Sequence, residues 1–146
     1  ELRNAILKDV PATSEPTDEN FDQFLERFWK NPALIADACH VALDGERYVG
    51  YTQLYDSYGE PLLYTGLTGV LREYRGRGIA TALKVHGVTW AKSQDRPQIA
   101  TWNEVGNEGM LGINTRLGFE RQLAWIDFEK RIGTEAGAGE KTGEER

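Results

Sequence analysis

Hydrophobic and polar positions change period several times along the 146-residue chain, and each change predicts an element. Leu2, Ala5 and Ile6 lie at helical spacing, so residues 2–8 predict a short helix, which Pro11 and Pro16 break into an acidic loop. Phe21, Phe24, Leu25, Phe28 and Trp29 then follow at i, i+3, i+4, i+7 and i+8. Thr17 is placed to cap this second helix, with Asp18 and Glu19 in its first turn, and Asn31-Pro32 ends it. From Cys39 the period shortens to two: CHVALDGERYVGYTQLY places Asp44-Gly45 between apolar runs, a hairpin signal. Gly59-Glu60-Pro61 turns the chain into LLYTGLTGVL, a strand with two internal glycines, and glycine inside a strand marks a bulge or a close approach by another group. Residues 78–92 predict a helix with Ile79, Leu83, Gly87 and Trp90 on one face. PQIATWN reads as a short strand, 107–117 as a second short helix and ERQLAWIDFEK as a final strand. GTEAGAGEKTGEER contains no large apolar side chain, and residues 132–146 are expected to be a disordered tail. The order of elements predicts one α/β domain over residues 1–131, a sandwich around a mixed sheet.

Composition narrows this picture only modestly. A chain of this length with 40% hydrophobic residues can bury a core without staples. Cys39 is the single cysteine, so there is no internal disulfide and no cysteine-based metal cluster, and no metal site is expected. Seventeen basic against 23 acidic residues give a net charge of −6, which disfavours a nucleic-acid surface and mildly favours cationic partners. No apolar run reaches the roughly 18 residues of a membrane span and no secretory signature opens the chain, so a cytoplasmic protein is the default expectation. The chain starts at Glu1 and its one methionine is Met110, which predicts a trimmed start or a piece of a longer product.

Residues 75–84, RGRGIATALK, carry the candidate chemistry. Where a strand turns into a helix, the first backbone N–H groups lack partners and the helix dipole adds partial positive charge, so anions bind there. Gly76 and Gly78 in that turn let a pyrophosphate approach the amides, and Arg75 and Arg77 add charge at the rim. Taken alone, the stretch fits a tight turn with two solvated arginines equally well. The G-x-G-x-x-G of a dinucleotide fold and the G-K-[ST] of a Walker loop are both absent.

What remains is R-x-x-G-x-A, from Arg75 through Gly78 to Ala80, directly after YTGLTGV. VLREYRGRGIATALK resembles the acetyl-CoA signature of the GNAT superfamily of N-acyltransferases, and NEVGNEGMLGINTRLGF resembles its second motif, a helix opened by asparagine and closed by Leu-Gly-Phe. The resemblance covers residues 39 to 130 well and the amino-terminal helices loosely, with no counterpart of the family's first strand. It implies a mixed, mainly antiparallel sheet flanked by helices, acetyl-CoA as co-substrate and a small-molecule amine as acceptor. It also leaves room for an upstream second domain, as in tandem members, and for a homodimer through carboxyl-end edge strands.

By this resemblance Thr68, Gly69 and Val70 offer backbone groups to the pantetheine arm, and Gly76, Arg77, Gly78, Ile79, Ala80 and Thr81 hold the pyrophosphate with Arg75 beside them. A bulge that splays the strand would free the required N–H and C=O groups. Asn107 corresponds to the family asparagine that meets the cofactor, and it is equally suited to cap a helix. Many members use a carboxylate on the fourth strand as base, but TGLTGV has none, so a water held by Thr68 and Asn103 is expected to take the amine proton. The family's acid is often a tyrosine five residues before the Phe of Leu-Gly-Phe. Here that position is Asn114, which can hydrogen-bond sulfur or substrate but cannot deliver a proton as a phenol does.

His40 and His86 lie far apart without ligand spacing, and packing is the simpler reading of His86. Trp102 and Trp125 could wall an acceptor pocket, although aromatic residues on strands usually pack in the core. Asp9, Glu15, Asp18 and Glu19 could select a cationic amine, and more commonly such a run is solvated. The leading expectation is therefore direct acetyl transfer from acetyl-CoA to a primary amine. Its rival is an acyl-CoA-binding regulatory or structural domain without catalysis, prompted by the missing carboxylate and tyrosine.

Overall fold

The computed structural model describes residues 1–11 and 17–122. Helix α1 (Leu2–Leu7) leads to α2 (Phe21–Phe24), which continues as a π-helical turn, Leu25–Trp29. After a 3₁₀ turn at Ala36–Ala38 come β1 (His40–Asp44), β2 (Arg47–Asp56) and β3 (Leu62–Val70), a 3₁₀ turn at Arg72–Tyr74, α3 (Ile79–Ser93), β4 (Gln98–Ala100) and α4 (Glu108–Arg116). The four strands lie in sequence order, β1, β2 and β3 antiparallel and β4 parallel to β3. This is the expected mixed, mainly antiparallel sheet with flanking helices. The final strand expected over 120–130, with Trp125, lies outside the described residues except for Glu120, Arg121 and Gln122, which belong to no strand, and the tail 132–146 also lies outside them. Among the described residues no helix is long and apolar enough to cross a membrane.

Local chemistry explains most boundaries. Gly45, at φ 59°, takes the first place of the two-residue hairpin loop before Arg47, where a type II′ turn requires glycine. The second helix starts later than the sequence suggests. Asn20, not Thr17, is its cap, because Asn20 and Gln23 exchange side-chain and backbone hydrogen bonds in a capping box. Asp18 and Glu19 consequently precede the helix, and the π turn, closed by Lys30 N–H to the Leu25 carbonyl, leaves Phe21 and Trp29 exposed. At the other end of the molecule Leu117-Gly118-Phe119 closes α4: Gly118 has φ 83°, its N–H donates to Thr115, and Phe119 N–H donates to Asn114.

The sheet separates two layers. Leu54 and Leu63 pack with Ala38 and Ala91 under α3 to form the core cluster. The buried face of α3 is Leu83, Lys84, Gly87 and Ala91, rotated from the expected Ile79, Leu83, Gly87 and Trp90. On the opposite layer Ile6 of α1, 2% exposed, sits on Gly69, where a Cβ would lie 2.2 Å from Ile6 Cγ2. The other glycine of β3, Gly66, marks a bulge: Thr52 pairs with Thr68 and Leu54 with Thr65, so Gly66 and Leu67 together oppose Gln53. Both roles foreseen for strand glycines are therefore present, one at each position.

Candidate functional site

The chain leaves β3 through the 3₁₀ turn and reaches α3 by way of Gly76 (φ 74°) and Gly78 (φ 79°), the latter its N-cap. Left-handed backbone at both positions requires glycine, and a Cβ at either would meet no atom of the described residues within 4 Å, so the turn is open among them. No side chain caps α3. The first amides, at Ile79, Ala80 and Thr81, thus point out of the helix end without a partner from within it, the arrangement suited to phosphate oxygens. Arg75 and Arg77 are more constrained than expected. Arg75 Nε donates to the Val70 carbonyl at 3.1 Å and its Nη2 meets Asp9 at 2.8 Å, while Arg77 Nη2 donates to the Glu73 carbonyl at 3.1 Å and lies over the Tyr74 ring.

The free edge of β3 follows from register. Pairing with β4 ends at Tyr64 and Ala100, so among the described residues nothing pairs with β3 on that side from Thr65 to Val70. Leu71 N–H donates to the Val49 carbonyl directly opposite, at 2.9 Å. Antiparallel pairs alternate, so Gly69 and Tyr51 also form a hydrogen-bonded pair, whereas Thr68 and Val70 turn their N–H and C=O groups away from β2. Of the three residues assigned to the pantetheine arm, Thr68 and Val70 have the right orientation. Gly69 does not: its backbone groups are committed to β2, and its role is to admit Ile6. The Val70 carbonyl is shared with Arg75.

The three residues assigned to chemistry are only partly brought together. Asn114, buried on α4, donates from Nδ2 to Asn103 Oδ1 at 2.6 Å, and its own Oδ1 has no partner among the described residues. Thr68 Oγ1 instead meets Thr52 Oγ1 at 2.7 Å, and no hydrogen bond among the described residues joins it to Asn103. Asn107 caps α4, accepting from Met110 N–H at 3.2 Å, which leaves its Nδ2 for other contacts.

Several side chains behave differently from their sequence reading. The loop acids are neutralised by cations of the chain itself: Asp9 by Arg72 and Arg75, Glu19 by Arg3 and Arg27, Asp18 by Lys8. Hydrogen bonds from the Arg72 guanidinium and the charge of Arg75 hold the Asp9 carboxyl below its ordinary range. Glu15 lies outside the described residues. Trp102 is 62% exposed and stacks on Tyr64 with centroids 4.7 Å apart, so it lies at the surface and not in the core. His40 and His86 meet across β1 and α3 with ring centroids 5.4 Å apart. Burial, then the neighbouring imidazole, pushes His40 below its ordinary range.

Sequence reading also passed over Lys84. It is 4% exposed, and its Nζ lies 5.0 Å above the centre of the Phe119 ring. Lys84 faces a small cavity with Thr52, Thr65, Leu54, Val88, Ile99 and Phe119, in which it is the only charged group among the described residues. Burial pushes the ammonium down to about 8. The one sequence signal is its place beside Leu83 on a helix that must cover the sheet.

Comparison with known proteins identifies the family of the chain. The acetyltransferase (GNAT) family matches residues 4–119. N-alpha-acetyltransferase 30 of Schizosaccharomyces pombe is 34% identical over 119 residues, 79% of this chain and 78% of that protein. Aminoglycoside acetyltransferase AAC(6′)-Iy, in complex with the bisubstrate analogue CoA-S-monomethyl-acetylneamine, superposes with a TM-score of 0.63 at 18% identity, covering 89% of this chain and 90% of that one. The aminoglycoside 6′-N-acetyltransferase AAC(6′)-IG of Acinetobacter haemolyticus does so with a TM-score of 0.63 at 18% identity, covering 90% and 89%. At such identities the structural likeness speaks for the fold alone.

Proposed function

Since the chain belongs to the GNAT acetyltransferase family and is thus an acetyl-CoA-dependent acetyltransferase, we propose that its acceptor is a primary amine, acetylated by direct attack while both substrates are bound. The observation that carries this reading is the continuous track from the uncapped N-terminus of α3 to the unpaired edge of β3. The amides of Ile79, Ala80 and Thr81 suit the pyrophosphate, and the outward groups of Val70 and Thr68 suit the amides of the pantetheine arm. Acetyl-CoA supplies an acyl group activated as a thioester. The rival reading, a binding domain without chemistry, is set aside by membership of the family and by relatives that are N-acetyltransferases.

An amine acceptor is supported by the name of the fungal relative, which acts on an α-amine, and by the aminoglycoside N-acetyltransferases of like fold. The Tyr64 and Trp102 rings stand where β3 and β4 part, on the layer opposite α3, and form one wall for the carbon skeleton of the acceptor. Asn103, fixed by Asn114, holds the water that removes the amine proton. Thr68 contributes through its backbone, because its hydroxyl is engaged with Thr52.

Calorimetric titration of acetyl-CoA into the purified chain tests the reading. Micromolar binding is expected, with loss in Gly78→Trp, whose side chain would strain the left-handed cap and fill the open turn. Absence of binding by the folded wild-type chain would overturn it.

A further inference from the structure

We propose that Lys84 is the acid that protonates the departing sulfur of acetyl-CoA, in place of the tyrosine that position 114 lacks. The assignment rests on the acetyl-transfer reading above and on the position of the lysine cavity. Thr65 is the first β3 residue beyond the last β3–β4 pair, and Ile99 lies one pair before it, at Leu63. Both line the cavity that Lys84 enters from α3, so the cavity lies directly beneath the apex of the splay. An arm that starts at Gly78 and pairs with Val70 and then Thr68 runs toward that apex and delivers its sulfur end beside Thr65. Successive strand residues face opposite sides, so Tyr64 and its partner Trp102 lie across the sheet from Thr65. The amine then approaches from the aromatic side and the proton from the α3 side.

No described residue of the cavity explains a lysine there as a structural feature. Lys84 has no ion pair among the described residues, and Thr52 and Thr65 of the sheet, Val88 of α3 and Phe119 after α4 bring no carboxylate to it. Among the described residues the Phe119 ring is its one electrostatic support. An ammonium withdrawn from water without a counter-charge gives up its proton readily, in keeping with its lowering to about 8 by burial. Asn114 cannot serve, since an amide does not release a proton and its Nδ2 is engaged with Asn103. In the step, the lone pair of the neutral amine forms the new C–N bond, the C–S bond breaks with its electron pair on sulfur, and Lys84 Nζ gives sulfur a proton to leave CoA as the thiol. The surplus proton of the amine passes to water, and water returns one to Lys84, so the cycle is proton-neutral.

The test follows the ionisation of CoA bound to the full chain, by the ultraviolet absorbance of its thiolate against pH, in wild type and Lys84→Met. In wild type the bound thiol is expected to ionise about one pH unit below free CoA, a tenfold gain in acidity, because an ammonium faces it. In Lys84→Met, CoA should still bind and its thiol should return to the ordinary value, while kcat for acetyl transfer falls at least about tenfold and KM for acetyl-CoA stays within about threefold. A bound thiol that titrates in wild type as free CoA does would overturn the assignment without any variant, as would a Lys84→Met titration matching wild type. Failure of wild type to bind CoA would instead sink the acetyl-transfer reading itself.

Discussion

Asn103 shows how much a single contact can organise at this site. Its side chain is oriented by Asn114 of α4, whose Nδ2 donates to Asn103 Oδ1. Asn103→Ala is expected to lower kcat more than tenfold with an unchanged melting profile; a smaller loss, measured by CoA release, would remove the residue from the mechanism. Residue identity was legible where one residue type answers one need. Gly76 and Gly78 are required by left-handed backbone, and position 114 showed a missing phenol. Lys84 was not legible, since a lysine on a helix reads as solvent-facing until the helix rotation is known, and a shift of the buried face from Ile79 and Trp90 toward Lys84 and Ala91 reverses that reading. Gly69 was legible as special but not in its role, because alternation along β3 depends on register, which no single strand specifies.

Among the elements, α1 is attached to the sheet through a fit that has no tolerance. Gly69→Ala would drive a methyl group into Ile6 Cγ2 and is expected to destabilise the fold by about 1–3 kcal/mol. Ile6→Leu removes that branch at nearly constant volume, so the double variant should recover part of the loss in chemical denaturation; simple additivity would refute the contact. The seam between β1 and α3 has a different sensitivity. His40, held below its ordinary range by burial and by His86, stays neutral in the folded chain at pH values where the unfolded chain is protonated. Its contribution is thus fully present above the unfolded value of about 6.5 and is lost as pH falls through that value toward the folded one. Thermal melts from about pH 7.5 to 5 should show this decline, and His40→Gln should flatten it; an equally steep decline in the variant would point elsewhere. Element types were readable from period and turn chemistry, including the hairpin and the bulge in β3. The π turn and the late start of α2 were not, because Thr17, followed by Asp18 and Glu19, and Asn20, followed by Gln23, both read as helix starts by residue type, and tertiary contacts choose between them. Asn4 does so here by pairing with both backbone groups of Glu19.

For the molecule as a whole, mean composition indicated a class and two short motifs indicated a family, whereas the partition of charge appeared only in three dimensions. The net charge of −6 suggested acids available to a cationic acceptor, yet Asp9, Asp18 and Glu19 are each matched by arginine or lysine, Asp9 by two arginines more than sixty residues away. Asp9 is the most consequential of these. It closes the end of α1 onto Arg72 and Arg75, and Arg75 in turn holds the Val70 carbonyl at the edge offered to the donor. A ligand that settles into the glycine turn therefore meets the same arginine that clasps Asp9 at the end of α1. In kinetic language this is a clutch: filling the donor track is expected to set the tension on the Asp9 clasp, so that turnover should follow a compulsory order, acetyl-CoA first and amine second. Initial-rate patterns with CoA as product inhibitor should show competition against acetyl-CoA alone. Asp9→Asn, with the clasp loosened, should let the two substrates enter in either order.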